Sequence, residues 1–594
     1  MRSPAELLPG HPGVGLLLEL DLTRGLAEAP PSTPIEAART RHVPQLRQVA
    51  DMLRRAAADD RVVGLIAHIG GHQPTLAQSE ELRRAVAAFR AAGKGTVCWT
   101  ESFGEMRPGN VLYHLASAFE EVWLQPSGDL GLTGVVVQAV FLRGTLDKLG
   151  IEPEVHQRKE FKTASNTFLE TSMTDAHREM ATAIVASATE TIVHDVAAAR
   201  GLSEAAVRDA IDHAPLTPDA ALDRRLVDHI GYRDEVYAAL RDRYGEVRLR
   251  YLHRYGKGLA GLASGPQTSA VGRAVGSRLK SVASRGGPPA VPTVAVVHAT
   301  GAIHLGRSGR SPLGGASIGS DSLGGALRSV AADDSVAAVV LRVNSGGGSY
   351  AASDAIHREV LAVRRAGKPV IASMGSVAGS GGYYISMGAD AIVADAGTLT
   401  GSIGVLYGKQ VIRGLLDRVG LSRESVSSGA FAEMFSTQRP FTPEEWERLD
   451  AWLDSVYRVF VTTAARDRGM AVGDLEAVAR GRVWTGADAS KRGLVDELGG
   501  LEEAVGLACR RAGLDRSAVN VKVLPKPSIV ERIRPAESSE HPAAGTGRLG
   551  WLGWLGSNLG PGSARWLGSN LGSGVLPGVG APGVLSMPLG FELS

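Results

Sequence analysis

Residues 58–69 read ADDRVVGLIAHI, and residues 332–343 read ADDSVAAVVLRV, 274 positions later. An internal repeat constrains a fold more than any local propensity, because both copies must suit one architecture. Met52, Leu53 and Arg54 fall opposite Ala326, Leu327 and Arg328, and Gly93-Lys94 falls opposite Gly367-Lys368, at the same spacing. Further on the spacing becomes 270, with Tyr113 answering Tyr383, Gly134 answering Gly404 and Gly150 answering Gly420. Four extra residues therefore lie in the first copy between Lys94 and Tyr113. Leu226-Val227-Asp228 then matches Leu494-Val495-Asp496 at a spacing of 268. A register held over some 170 residues with small insertions describes two copies of one domain.

Each copy alternates short β-branched runs with amphipathic stretches: LIAHI then a helix to Arg90, VVLRV then a helix to Arg365, and strands near Val97 and Val370. That alternation is the pattern of βα units around a mainly parallel sheet, so two α/β domains are expected. The apolar run Val14 to Leu22, interrupted by Glu19 and Asp21, reads as a buried strand rather than a leader. The expected organisation is a first domain over 1–256, a Gly/Ala/Ser/Pro-rich linker over 257–292, a second domain over 293–525, and a low-charge Gly/Leu/Trp tail over 526–594. In the tail WLGSNLG occurs at Trp554 and again at Trp566. Indole rings favour lipid boundaries, so a peripheral membrane contact through this tail stands beside a plain disordered extension.

Charge excludes one broad class of function. Sixty-four basic residues against 62 acidic ones give a net +2, which provides no sequence-wide attraction for nucleic acid. Cys98 and Cys509 build no disulfide framework and lie in no metal-ligand spacing; they read as buried small apolar residues in a reducing compartment. No segment has the roughly 18 uninterrupted apolar residues of a spanning helix.

The chemistry lies in what the two copies do not share. Ser380, in GSGGYYISMGADA, stands between glycines at the start of a helix, whereas its counterpart in the first copy is Asn110. Phe161-Lys162 in the first copy faces Phe431-Ala432 in the second. One copy keeps a hydroxyl and the other keeps an amine. A serine hydroxyl is a weak nucleophile until a neighbour takes its proton, and a lysine amine does so only when burial lowers its pKa. Lys159 and Lys409 are rival bases, but neither is singled out by the repeat. A Ser-His-Asp reading draws on His298, His304 and His357, none of which any motif ties to Ser380. NSGGGS, residues 344–349, offers glycine backbone donors for an oxyanion. Neither this motif nor GVGLLLEL matches a nucleotide-binding loop, and no cofactor or metal is implied.

The motifs FKTA, NSGGGS, SGGYYISMGADAIVA, LTGSIGV and VWTGADA followed by GLVDELGG, with both copies in order over roughly residues 10 to 525, resemble the tandem-domain form of the signal peptide peptidase A (protease IV) family. That resemblance implies two Clp/crotonase-like α/β domains of repeated ββα units. It implies Ser380 as nucleophile, Lys162 as general base contributed by the other domain, and Ser402 as the hydroxyl that holds the lysine amine. It places the oxyanion hole at the backbone of Gly381 and of Gly347 or Gly348. It also implies a homotetramer acting on apolar peptides such as signal peptide remnants. Gly346 stands where the family usually has proline, the family's N-terminal anchor is missing, and the Trp-rich tail lies outside its pattern, so the expected location is cytoplasmic or peripheral to a membrane. Two rivals remain: an acyl-CoA enzyme of the crotonase kind, which needs no Ser/Lys pair, and a non-catalytic ring-forming scaffold.

Overall fold

A computed structural model describes residues 14–31, 40, 43–255, 291–309, 316–523, 584–586 and 592–593. The chain forms strands β1 (Gly15–Asp21), β2 (Val62–His68), β3 (Gly95–Thr100), β4 (Glu121–Leu124), β5 (Val137–Gln138), β6 (Glu152–Arg158), β7 (His229–Ile230) and β8 (Val247–Tyr251). The second repeat adds β9 (Thr293–Thr300), β10 (Ala302–His304), β11 (Ser317–Gly319), β12 (Val336–Ser345), β13 (Gly347–Ser349), β14 (Val370–Gly379), β15 (Ala391–Ala394), β16 (Leu399–Gly401), β17 (Val405–Val411), β18 (Val483–Thr485), β19 (Glu497–Leu498) and β20 (Asn520–Val523). Two further strands lie near the C-terminus, β21 (Val584–Ser586) and β22 (Glu592–Leu593). The strand expected over Val14 to Leu22 is β1.

Contacts divide the chain into two compact units, one drawn from Met1–Val135 and Thr189–Val291, the other from Val136–Ala188 and Pro292–Leu593. In the first unit a parallel sheet runs β7-β4-β3-β2-β1-β8. Leu17, Ile66, Val97 and Trp99 of one sheet face pack on Val236, Tyr237 and Leu240 of the helix Arg233–Tyr244. In the second unit a sheet runs β18-β16-β14-β12-β9-β20, parallel except at β16–β18. Strand β12 reads as a nearly unbroken apolar run because both of its faces are covered. Val339, Leu341 and Val343 enter a core with the helices Ser320–Ala332, Tyr350–Arg365 and Pro443–Arg468, while Ala338 and Val340 pack towards the helix Leu501–Arg511. The helix Pro443–Arg468 begins at a Thr442/Glu445 capping box with proline in its first turn and ends at Gly469, whose φ of 64° suits a residue without Cβ.

The two-unit α/β architecture matches the fold class read from the repeat. The division of contacts differs from the boundary drawn at 257–292, because Val136–Ala188, first-repeat by sequence, packs with the body of the second repeat. The cause is a ladder: β6 runs antiparallel to β17 from Val405↔Arg158 to Val411↔Glu152. Apolar contacts reinforce it, with Leu146, Ile151 and Phe168 packing against Ile412 and Leu416. The segment 257–290 and most of the tail, including Trp554 and Trp566, lie outside the described residues.

Candidate active site

Strand β14 delivers the chain to Ser380, which caps the helix Gly381–Met387 with φ 55° and ψ −115°. Positive φ on a residue with a side chain is strained and persists only where the surroundings fix it. Here the Ser380 N–H donates to Gly401 O at 2.8 Å, and Ser380 O accepts from the Tyr384 N–H at 2.9 Å. Gly381 and Gly382 keep the approach to the neighbouring glycine loop open. A Cβ on Gly381 would lie 2.7 Å from Ser353 Oγ and 3.1 Å from Gly347 Cα, and one on Gly382 would lie 2.3 Å from Ser345 O.

Lys162 is fully buried; its Nζ lies 2.7 Å from Ser380 Oγ and donates to Ser402 Oγ and Ser402 O, each at 2.9 Å. No carboxylate pairs with it among the described residues, and burial holds its pKa well below the ordinary lysine value. Ser402 also sits at positive φ, 53°, with its N–H donating to Arg482 O at 2.7 Å, so the backbone fixes the hydroxyl that receives the amine.

The lysine segment is held by Arg480, Gly481 and Arg482. The Phe161 N–H donates to Arg480 O at 3.2 Å, Arg480 pairs with Glu160 at 2.8 Å, and the Arg482 guanidinium lies over the Phe161 ring at 4.6 Å. Two glycines make room for the lysine itself. A Cβ on Gly481, whose φ is 82°, would meet Lys162 N at 2.5 Å and Lys162 Cβ at 2.6 Å; one on Gly404 would meet Lys162 Cδ at 3.1 Å. Sequence reasoning passed over Gly481, since nothing local links it to a lysine so far away along the chain.

Among the proposed oxyanion donors, the Gly347 N–H is already donated to Ser345 Oγ at 3.1 Å. Gly348 N lies 3.2 Å from the point a Gly381 Cβ would occupy, so the glycine loop runs close against the residue that follows Ser380. The rival bases are engaged elsewhere: Lys159 pairs with Glu476 at 3.3 Å, and Lys409 donates to Met434 O at 2.9 Å while lying over the Phe441 ring. His357 bonds Asp467 at 2.6 Å and His304 bonds Ser317 Oγ at 3.0 Å, with Ser380 in neither bond.

Residues 100–246 and 362–515 match peptidase family S49. The chloroplastic serine protease SPPA of Arabidopsis thaliana is 32% identical over 513 residues, covering 84% of this chain and 70% of that one. Protease 4 of Salmonella typhi is 31% identical over 485 residues, covering 79% of this chain and 72% of that one. The chain belongs to peptidase family S49. As an S49 serine protease it also carries a serine-histidine-aspartate string away from Ser380, in the first unit: Ser79 Oγ lies 2.7 Å from His114 Nδ1, and His114 Nε2 lies 2.9 Å from Asp195. Ser79 and His114 have no exposed surface, and burial pushes the His114 pKa down to about 4. This string gives a substrate no access and ties helices together. Both cysteines of the S49 chain are free and buried, and no helix among the described residues is long and apolar enough to cross a membrane.

Proposed function

We propose that this serine protease works through a Ser/Lys dyad and hydrolyses apolar peptides, including remnants of cleaved signal peptides. The observation that carries the reading is the 2.7 Å contact between a fully buried Lys162 amine and Ser380 Oγ. Lys162, neutral at working pH, takes the hydroxyl proton as Ser380 Oγ bonds to the substrate carbonyl carbon. Gly381 and Gly348 N–H groups stabilise the oxyanion. The C–N bond then breaks as the ammonium returns its proton to the leaving amine, giving an acyl-enzyme and a free amine. Water repeats the sequence: Lys162 takes its proton, the hydroxyl adds to the acyl carbon, and the ester breaks to carboxylic acid and Ser380. Ser402 orients the amine throughout.

A fluorophosphonate probe with peptide mapping tests this. Labelling is expected on Ser380, rising with pH as Lys162 loses its proton, and lost in Lys162→Ala. Labelling of Lys162→Ala at the parental rate would sink the dyad, and absence of labelling at Ser380 in the parent would return the reading to crotonase-like chemistry or a scaffold.

A homotetramer fits the same repeat logic. Within one chain β6 pairs with β17; by the 270 register the equivalent of β17 in the first repeat is 135–141, which includes β5, and the equivalent of β6 is 422–428. The segment 421–430 is exposed along its length, with Val426 fully so. In the proposed ring, 422–428 of one copy adds to the β5 region of the next. Val426→Asp is expected to reduce the mass measured by sedimentation to that of a smaller species; an unchanged mass would place the contact elsewhere.

A further inference from the structure

Arg482 is tied to both sides of the buried amine. Its carbonyl accepts the Ser402 N–H at 2.7 Å, one step beyond the antiparallel pairing of β16 with β18 at Gly401↔Val483. Its guanidinium lies over the Phe161 ring at 4.6 Å, and Phe161 is the residue before Lys162. The same guanidinium lies over the Trp484 ring at 4.5 Å, so two aromatic side chains share it. Trp484 is itself fixed: it is buried, its Nε1–H donates to Val478 O at 2.8 Å, and Arg492, which donates to Asp488 O at 2.8 Å, lies over its ring at 3.8 Å. Glu179 accepts from Arg482 Nη1 at 2.5 Å but is 60% exposed, and the buried Nε meets no acceptor among the described residues. The rings, more than the ion pair, therefore hold this guanidinium, because water screens an exposed pair and leaves a stack on a buried ring intact.

The first repeat supplies a control. At the spacing of 268, Arg482 falls opposite Ala214 and Trp484 opposite Leu216, a register anchored by Thr485 and Thr217, each of which caps the helix that follows it. The first unit, with Asn110 for Ser380 and Leu132 for Ser402, thus also lacks the cation and the ring. It keeps the backbone pairing, since Leu130 bridges Leu216 antiparallel as Thr400 pairs with Trp484. The fold at this position needs the pairing and does without the guanidinium. Only the unit that holds the amine carries the arginine.

We propose that Arg482 is a positioning residue of this S49 site: stacked on Phe161 and Trp484, it holds Lys162 against Ser380 through Phe161, and holds Ser402 against Lys162 through its own carbonyl. The inference rests on the Ser/Lys reading of the site. Arg482 acts through its neighbours and not on the reacting atoms. The role calls for a planar cation, because a lysine ammonium is a compact, strongly hydrated charge that cannot lie flat on a ring. Truncating the side chain leaves the carbonyl in place for Ser402, so it isolates the arm that runs through Phe161.

The test is Arg482→Ala in the full-length chain, read by fluorophosphonate labelling of Ser380 and by peptide turnover. The labelling rate and kcat are each expected to fall about tenfold or more with KM within about twofold, because a misplaced base slows bond making and leaves binding intact. Millimolar methylguanidinium, entering from the exposed side where Glu179 lies, is expected to restore much of the rate, while methylammonium restores none and Arg482→Lys stays as slow as Arg482→Ala. Parental rates in Arg482→Ala, or equal rescue by the two cations, would overturn the proposal. Phe161→Leu, which keeps the arginine and the apolar packing near Met180 and Val483, is the second variant and is expected to show the same fall in kcat; a parental kcat there would overturn it as well. In a Lys162→Ala background, Arg482→Ala is expected to slow labelling by less than about twofold, since the base it positions is gone. An undiminished loss in that background would place the action of Arg482 elsewhere and leave the dyad standing. Labelling of Lys162→Ala alone at the parental rate would instead remove the dyad reading, so the two failures are separable.

Discussion

Asn110 and Ser380 occupy the same turn of two related units, each buried, each opening a seven-residue helix. In the first unit the Asn110 amide closes on Gly134, donating from Nδ2 to Gly134 O at 2.9 Å and accepting from the Gly134 N–H at 2.9 Å. In the second, Ser380 receives a buried amine, and the position answering Leu132 is Ser402. A carboxamide that satisfies both its donor and its acceptor locally contributes stability and leaves nothing to react. A hydroxyl bonded to a buried amine whose pKa is lowered by burial gives up some of that local satisfaction, and in the proposed dyad it gains a route for its proton. The copies therefore differ in the partner each side chain meets and in the local backbone, since Ser380 caps its helix at φ 55° whereas Asn110 is the first residue within its own.

The comparison breaks most sharply at the amine. Lys162→Ala is expected to lower peptide turnover by about 10²–10⁴-fold, the usual contribution of a general base, in a chain that still folds; turnover near the parental rate would make Lys162 a bystander. The same residue allows a stability test whose sign follows from burial. The folded chain holds this amine neutral at a pH where the unfolded chain carries it charged, up to the ordinary value of 10.5, so folding releases a proton and stability rises with pH through that window. Lys162→Met is therefore expected to melt higher than the parent at neutral pH, with the gap closing towards pH 10.5.

Gly481→Ala has an intermediate effect. A methyl group at that position meets the Lys162 backbone at 2.5 Å and must displace it, and kcat is expected to fall by about 100-fold, as misplacement of a catalytic group by about 1 Å can cost. KM should stay within twofold and circular dichroism should be unchanged; full activity would show that the lysine tolerates a shift. The smallest effect on activity is expected from putting the nucleophile back into the first copy. Asn110→Ser in a Ser380→Ala background should remain inactive, with Leu132 where the second repeat has Ser402 and no buried lysine among the described residues of the first unit, and should lose about 1–2 kcal/mol of stability in denaturant titration from the broken Gly134 bonds. Recovered turnover would mean that the decay of the first site is only one residue deep.

Much of this was legible in the sequence because a repeat supplies its own control. Opposing Ser380 to Asn110 and Lys162 to Ala432 singled out two residues without any geometry, and the family resemblance carried by LTGSIGV implied Ser402. The membership of Val136–Ala188 was not legible, since domain boundaries were drawn where composition changes, while packing follows the β6–β17 ladder. Gly481 was invisible for a related reason: its requirement comes from Lys162, and a glycine reads only as a local turn until the neighbour in space is known. Of Gly347 and Gly348, only the bond from the Gly347 N–H to Ser345 Oγ distinguishes them.

The sequence by itself determined the repeated α/β architecture, the family motifs and the unequal inventory of the two copies, because these depend on the order of residue types along the chain. Only the tertiary structure decided that the first-repeat lysine lies in the same compact unit as the second-repeat serine, and that no carboxylate accompanies it there among the described residues. The reason is physical: the reactivity of an amine depends on what displaces water around it, and that is set by residues brought together through long-range strand pairing.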